Sequence, residues 1–271
     1  MFRVEKIGSF ERPELLPYRT MRRQEEQRQQ NIFVAEGEKV VRRLLESDFE
    51  VVSLLLPERW LTELEPLLKA RSESIAVFVG EKALLETLTG FSMYQGLLAV
   101  GRVPRPRPLA SVLAGCRRPY LLVAVEGLSS AENLGALVRN CVGFGVQALI
   151  VGETSGSPFL RRAVRSSMGT IFQLPVVETA ALAGQLAWLK NEGIRVIAAH
   201  PHEAGKKIWQ AQFRNDCAIV FGSEGFGLSP QVLELCDETV AIPMPPTVDS
   251  LNVGSAAAVF LYETSRQRNN P

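Results

Sequence analysis

Five polar residues stand in segments whose pattern suits chemistry. They are Asn133 and Arg139 in EGLSSAENLGALVRN, Glu224 in VFGSEGFGLSP, and Ser250 and Asn252 in IPMPPTVDSLNVGSAAA. Carboxamides, a hydroxyl, a carboxylate and a guanidinium suit orientation by hydrogen bonds and stabilisation of developing negative charge. His200 and His202 flank Pro201 and resemble no metal or triad arrangement, so a loop role is expected for them. The four cysteines (Cys116, Cys141, Cys217, Cys236) are scattered with no C-x-x-C pair, which predicts neither a disulfide scaffold nor a metal site.

Each segment also has a plainer reading. Asn133 could cap a helix, with Arg139 on its surface about a turn and a half further on. The three glycines around Glu224 could form an ordinary strand-to-helix turn. That loop is not a P-loop, because G-K-[ST] is missing, and it lacks the dinucleotide-binding spacing. The third segment reads as a strand (239–242), a loop stiffened by Pro243, Pro245 and Pro246, and an Asn-started helix. Alanines 256, 257 and 258 would let that helix approach a neighbour closely. A rigid loop feeding a close-packed helix suits a ligand cleft.

These segments need a scaffold, and the residues around them predict one. Strands are expected at 120–126, 148–152, 171–174, 195–199, 218–222 and 239–242. Helices are expected at 134–144, 159–166, 182–192, 230–236 and 252–266. Near-continuous apolar runs such as LLVAV and AIVF fit a parallel sheet buried on both faces. Ligands of such sheets sit at the carboxyl ends of the strands, where loops 127–133, 222–229 and 243–251 leave.

Upstream, the Pro- and Arg-rich stretch near 101–119 predicts a linker, with a short helix around 109–114. The resulting division is a first domain over 1–103, a linker over 104–119 and a second domain over 120–271. The first domain reads as a small α/β layer: a polar helix over 19–30, helices near 36–46, 58–70 and 81–88, and strands at 51–56, 75–79 and 96–103. Arg22 and Arg23, with Arg161, Arg162 and Arg165 on a predicted helix, form basic clusters that could track a phosphate backbone. Solvated helix faces are the plainer account.

Composition sets the outer bounds. The 271 residues are 46% hydrophobic and 22% charged, which excludes a largely disordered chain. A net charge of +1 means any nucleic-acid surface must be local. No apolar run reaches membrane-spanning length, and the first residues lack the apolar core of a signal peptide. A cytoplasmic protein with no membrane association is expected.

In order and spacing, the three segments resemble the SpoU branch of the SPOUT superfamily of RNA 2′-O-ribose methyltransferases. The match runs through Asn133-Leu-Gly-x3-Arg139, Phe221-Gly-Ser-Glu224-Gly-x-Gly-Leu228, and Ile242-Pro-Met to Ser250-Leu-Asn252. It covers 120–266, with SSMGT at 166–170 also similar. The first domain more loosely resembles the ribosomal-protein-like substrate-binding domain often fused to these enzymes, through Phe33-Val-Ala-Glu-Gly37 and Tyr94-Gln-Gly96. Departures are Glu132 before the Asn-Leu-Gly, the Pro245-Pro246 pair, and Gly254 after SLNV.

The resemblance implies an α/β fold whose C-terminal parallel-sheet domain holds a deep trefoil knot. It also implies a homodimer, S-adenosylmethionine as methyl donor, no metal, and methylation of a ribose 2′-hydroxyl in structured RNA. Gly222, Ile242, Leu251, Ser250 and Asn252 would contact the cofactor. Arg139, Asn133, Glu224, Ser250 and Asn252 would form the catalytic set, and Arg22, Arg23, Arg161 and Arg165 would meet RNA. Arg139 has two open roles: a base assisted by an RNA phosphate, or a lasting cation that holds the phosphate and stabilises the alkoxide. The second agrees better with a guanidinium's basicity. The fused domain favours ribosomal RNA. Transfer RNA, or a non-catalytic RNA-binding or ribosome-assembly role on the same scaffold, are the alternatives.

Overall fold

The computed structural model describes residues 1–89, 96–201 and 206–269. The chain forms two compact units, one from Met1–Arg105 with Phe159–Phe172, the other from Pro106–Pro158 with Gln173–Pro271. Tyr94, Gln95 and His202 lie outside the described residues.

The first unit runs β1 (Phe2–Ile7), α1 (Leu16–Arg19), α2 (Gln24–Gln29), β2 (Ile32–Glu36), α3 (Glu38–Leu45), β3 (Val51–Leu56), α4 (Arg59–Lys69), β4 (Ile75–Gly80), α5 (Lys82–Thr89) and β5 (Leu98–Arg102). Its sheet has the order β1-β4-β3-β5-β2. β4 is parallel to both neighbours, and β5 is antiparallel to β3 and β2. The helix expected over 19–30 is instead two short helices. Tyr18 and Met21 are both buried, so the chain turns after Arg19 to bring them inward. In β2, Phe33, Val34 and Ala35 are fully buried, which is the plainer reading of that motif. Phe33 faces Gly101 across the sheet, and a Cβ there would lie 2.4 Å from its ring.

The second unit and the segment that interrupts it comprise α6 (Leu109–Leu113), β6 (Leu121–Val125), α7 (Ala131–Gly143), β7 (Ala148–Val151), α8 (Arg161–Ser166), β8 (Val176–Glu178), α9 (Leu182–Asn191), β9 (Arg195–Ala199), β10 (Lys206–Lys207), β11 (Cys217–Phe221), α10 (Pro230–Leu235), β12 (Glu238–Ala241) and α11 (Val253–Asn269). Seven strands form one parallel sheet in the order β10-β12-β9-β11-β6-β7-β8. Their apolar residues are buried throughout β6, β7 and β11, as expected for a sheet covered on both faces.

Two expectations need correction. The run at 171–174 is not a strand; Thr170–Gln173 is a single-turn 3-10 helix and β8 starts at Val176. Ile171 and Phe172 are buried within the first unit, and a short apolar run cannot distinguish these fates. The stretch 104–119 is not linker throughout. Leu109, Val112 and Leu113 of α6 join the core of the second unit, beside Leu122, Leu186 and Val196.

α8 belongs to the first unit with the rest of Phe159–Phe172. Phe159 and Phe172 lie 5.9 and 5.5 Å from Phe33, ring centre to ring centre, and Phe49 completes the cluster. Arg43 donates to the Met168 carbonyl at 2.7 Å. Elsewhere in the first unit, Arg71 donates to the carbonyls of Leu45, Ser47 and Phe49 and to Glu73.

The last helix is held at both ends. Near its start, Asn140 of α7 donates to the Gly254 carbonyl at 2.6 Å. A Cβ on Gly254 would sit 3.1 Å from the Ala136 Cβ, so glycine lets α11 lie close against α7. Near its end, Arg268 donates to the carbonyls of Phe213, Pro119, Tyr120 and Asn215 at 2.8–2.9 Å. No helix among the described residues is long and apolar enough to cross a membrane.

Candidate active site

Because every strand of the larger sheet is parallel, the loops after β6, β11 and β12 all leave at its carboxyl end. α7 begins three residues earlier than a cap at Asn133 would place it. Ser130 is its N-cap, and its Oγ accepts the Asn133 amide at 3.3 Å. Asn133 is therefore the third helical residue and not the cap. Its carboxamide is freed to reach other loops.

It reaches two of them. Asn133 Nδ2 donates to Glu224 Oε1 at 2.7 Å, and Asn133 Oδ1 accepts from Asn252 Nδ2 at 2.8 Å. Asn252 Oδ1 in turn accepts the Gly254 amide at 2.9 Å, which caps α11 as the sequence suggests. One carboxylate and two carboxamides thus join the three segments.

The structure does not bring Arg139 or Ser250 into this network. Arg139 is exposed on α7, about 9 Å along the axis from Asn133 and roughly 120° around it by helix geometry. Its guanidinium has no bonded partner among the described residues. Glu224 bonds directly to Asn133. Ser250 is exposed in the loop before α11.

The glycine loop is a closed hairpin. Ser223 and Gly227 exchange backbone hydrogen bonds of 3.0 and 3.1 Å, with Gly227 at φ +67°. A Cβ on Gly222 would lie 2.2 Å from the Gly227 carbonyl carbon. The loop's own return strand thus requires glycine at 222, whether or not a ligand lies against it.

Sequence reasoning missed Glu126. At the end of β6, its carboxylate accepts both the Ser229 amide at 2.8 Å and the Ser229 hydroxyl at 2.7 Å. Ser229 also caps α10, accepting from the Val232 amide. Glu126 therefore ties the exit of the glycine loop to the strand that leads into the asparagine motif. The Ser229-Pro230 pair, a cap followed by proline at the first helical position, was the available signal for half of this contact.

The loop over 243–251 fits a ligand that needs backbone contacts. Among the described residues its one internal backbone bond runs from the Val248 amide to the Pro245 carbonyl, at 3.0 Å. Ile242 is half-buried at its start, and Leu251, 40% exposed, stands at its end.

The proposed RNA contacts divide. Arg161 pairs with Glu36, and the two side chains are 15% and 14% exposed. Arg161 is thus committed within the first unit, against the expectation that it faces phosphate. Arg165 also pairs with Glu36, at 3.1 Å, but is 63% exposed. Arg23 pairs with Glu26 at 3.0 Å and is exposed, and Arg22 is exposed beside it.

Fold and site together define an α/β domain with its polar network at the carboxyl end of a parallel sheet, where ligands of such sheets sit. Residues 120–262 match the SpoU rRNA Methylase family. The chain is 36% identical to an uncharacterized tRNA/rRNA methyltransferase of Mycobacterium tuberculosis, over 87% of this chain and 81% of that protein. It is 30% identical to the 23S rRNA (guanosine-2′-O-)-methyltransferase RlmB of Pectobacterium atrosepticum, over 86% of this chain and 97% of that one. The SpoU methyltransferase AviRb from Streptomyces viridochromogenes, solved with AdoMet, shares the fold with a TM-score of 0.82 at 24% identity. That match covers 96% of this chain and 99% of AviRb. This chain belongs to the SpoU rRNA methylase family.

Proposed function

We propose that the protein is an S-adenosylmethionine-dependent RNA 2′-O-ribose methyltransferase, acting in the cytoplasm on large-subunit ribosomal RNA. The observation that carries this reading is the Glu224–Asn133–Asn252 network, which joins all three family segments at the carboxyl end of the sheet. Ribosomal RNA is favoured over transfer RNA by the relatives named as 23S rRNA methyltransferases.

Ile242, Leu251, Ser250 and the backbone after Gly222 would hold the cofactor. When bound, it supplies an electrophilic methyl group for a ribose 2′-hydroxyl. The protein's own task is placement. Asn133 and Asn252 hold each other's carboxamides in fixed orientations beside the ribose, and Glu224 fixes Asn133. Arg139, with no bonded partner among the described residues, holds an RNA phosphate and stabilises the negative charge that develops on the 2′-oxygen. It stays cationic at neutral pH, as guanidinium groups do.

The knot and the homodimer belong to the same proposal. The match of residues 120–262 to the SpoU rRNA Methylase family supports a C-terminal segment passed through an earlier loop. Val259 and Tyr262, exposed apolar side chains of α11, support a second copy packing there. The first unit would contribute RNA contacts through Arg22, Arg23 and Arg165.

Labelled methyl donor incubated with the protein and total RNA, followed by mapping of the modified nucleotide, tests the reading. A 2′-O-methylated ribosomal nucleotide is expected. No incorporation into any RNA, precursors included, would favour a binding or assembly role, and base methylation would overturn the ribose mechanism.

A further inference from the structure

The hairpin that carries Glu224 also carries Phe226, whose surface is 98% exposed, more than that of any other large apolar residue described. Trp209 and Tyr262 are 62% and 59% exposed, whereas Phe33, Phe78, Phe213 and Phe260 are almost wholly buried. An exposed phenyl ring gains nothing from water.

The ring is not on a slack tip. Ser223 and Gly227 close the hairpin with two backbone bonds, and Ser223 Oγ accepts the Phe226 amide at 3.1 Å. Its backbone is therefore fixed while its side chain stands clear. Two residues earlier, Glu224 enters the network with Asn133 and Asn252. Phe226 accordingly stands at the rim of that site.

The polar site groups can orient a sugar or meet a phosphate, and the apolar Ile242 and Leu251 belong to the loop assigned to the cofactor, which leaves Phe226 as the apolar face for a base. An unpaired nucleotide has both needs. Proteins that bind single-stranded RNA stack its bases on Phe, Tyr or Trp and meet its backbone with cations. Arg139 supplies the exposed cation in the same domain.

We propose that Phe226 is the stacking platform for an unpaired base at or next to the methylated ribose. The inference rests on the RNA methyltransferase reading and deepens it. A base with a free face implies a target in a loop or bulge, and not within a continuous duplex.

The test compares wild type with Phe226→Ala, Phe226→Leu and Phe226→Trp. Filter binding to protein-free ribosomal RNA is measured beside the KM for the same RNA. The alanine and leucine variants should each bind about 10-fold more weakly, within the range for loss of one stacked base. Phe226→Trp should recover binding, and affinity for S-adenosylmethionine by calorimetry should not move. Unchanged binding in Phe226→Ala would overturn the proposal. So would full binding by Phe226→Leu, which would show that apolar bulk suffices. Altered sedimentation of Phe226→Ala would also overturn it, assigning the ring to a second copy. Wild type that transfers no methyl group would sink the methyltransferase reading, while the filter-binding series would still decide whether a base stacks.

Discussion

The carboxamide of Asn252 donates to the carboxamide oxygen of Asn133 at 2.8 Å, across 119 positions of sequence. The other end of Asn133 is bonded to Glu224, so one side chain couples all three loops. Asn133→Ala should cut methyl transfer by roughly 100-fold or more, the scale for a lost transition-state contact, while cofactor affinity by calorimetry survives. Asn133→Asp should do no better, because it sets a second carboxylate against Glu224. Loss of cofactor binding in both would move Asn133 into the cofactor pocket.

Arg139 tests what its guanidinium does. If it acts as a cation on phosphate and oxyanion, Arg139→Lys should keep measurable activity and Arg139→Ala should lose it, with cofactor binding intact in both. A lysine variant with no activity but full RNA binding would count against charge stabilisation, although the lost bidentate geometry would contribute.

Gly222→Ala should close the site without unfolding the sheet. The added methyl would sit 2.2 Å from the Gly227 carbonyl carbon and 2.5 Å from the Leu228 amide nitrogen, both backbone atoms. The hairpin must open to accept it, and Glu224 moves with the hairpin. Circular dichroism should remain native-like while methyl transfer is lost. A fully active variant would show that the hairpin tolerates a different closure.

The first unit makes a prediction about acid. Burial pushes the Glu73 carboxyl up, but hydrogen bonds from Arg71 and the Val51 amide outweigh it and hold the group at about 2, against 4.5 unperturbed. A depressed value stabilises the fold fully above pH 4.5, and that contribution is lost as pH falls toward about 2. Glu73→Gln should therefore cost on the order of 1 kcal/mol at pH 7, since solvent screening weakens the pairing. In urea midpoints measured from pH 7 to pH 2, the gap between variant and wild type should narrow below pH 4.5. A gap independent of pH would assign the loss to packing.

The sequence discloses the larger domain through its apolar runs, because a strand buried on both faces has no other composition. The loops at the carboxyl ends followed from strand direction alone. Asn133, Glu224 and Asn252 were legible as members of three motifs, yet their mutual bonds were not, since no local pattern encodes a contact 91 or 119 positions away. Glu126 was hidden for the same reason: its partner Ser229 lies 103 positions downstream.

The first unit was harder to read. β1, with FRVEKI, lies at a sheet edge, where charge between apolar residues obscures the period of a strand. The basic helix α8 offered two readings, a phosphate-tracking cluster and a solvated helix face. Arg161 and Arg165 instead converge on Glu36, 125 and 129 positions upstream. Charge counts reveal a cluster and cannot reveal a distant counter-ion.

Phe159–Phe172 gives the protein an unusual genetic anatomy. The first unit is encoded in two pieces, and the second piece is interleaved with the coding sequence of the other unit. A truncation after Arg105 would strand Phe33 and Phe49 without Phe159 and Phe172, and Glu36 without its arginines. Chimaeras made with relatives by a single crossover would separate residues that must be inherited together. Recombination that preserves folding has to exchange both pieces, so the first unit should change by drift within itself more readily than by wholesale replacement of its front end.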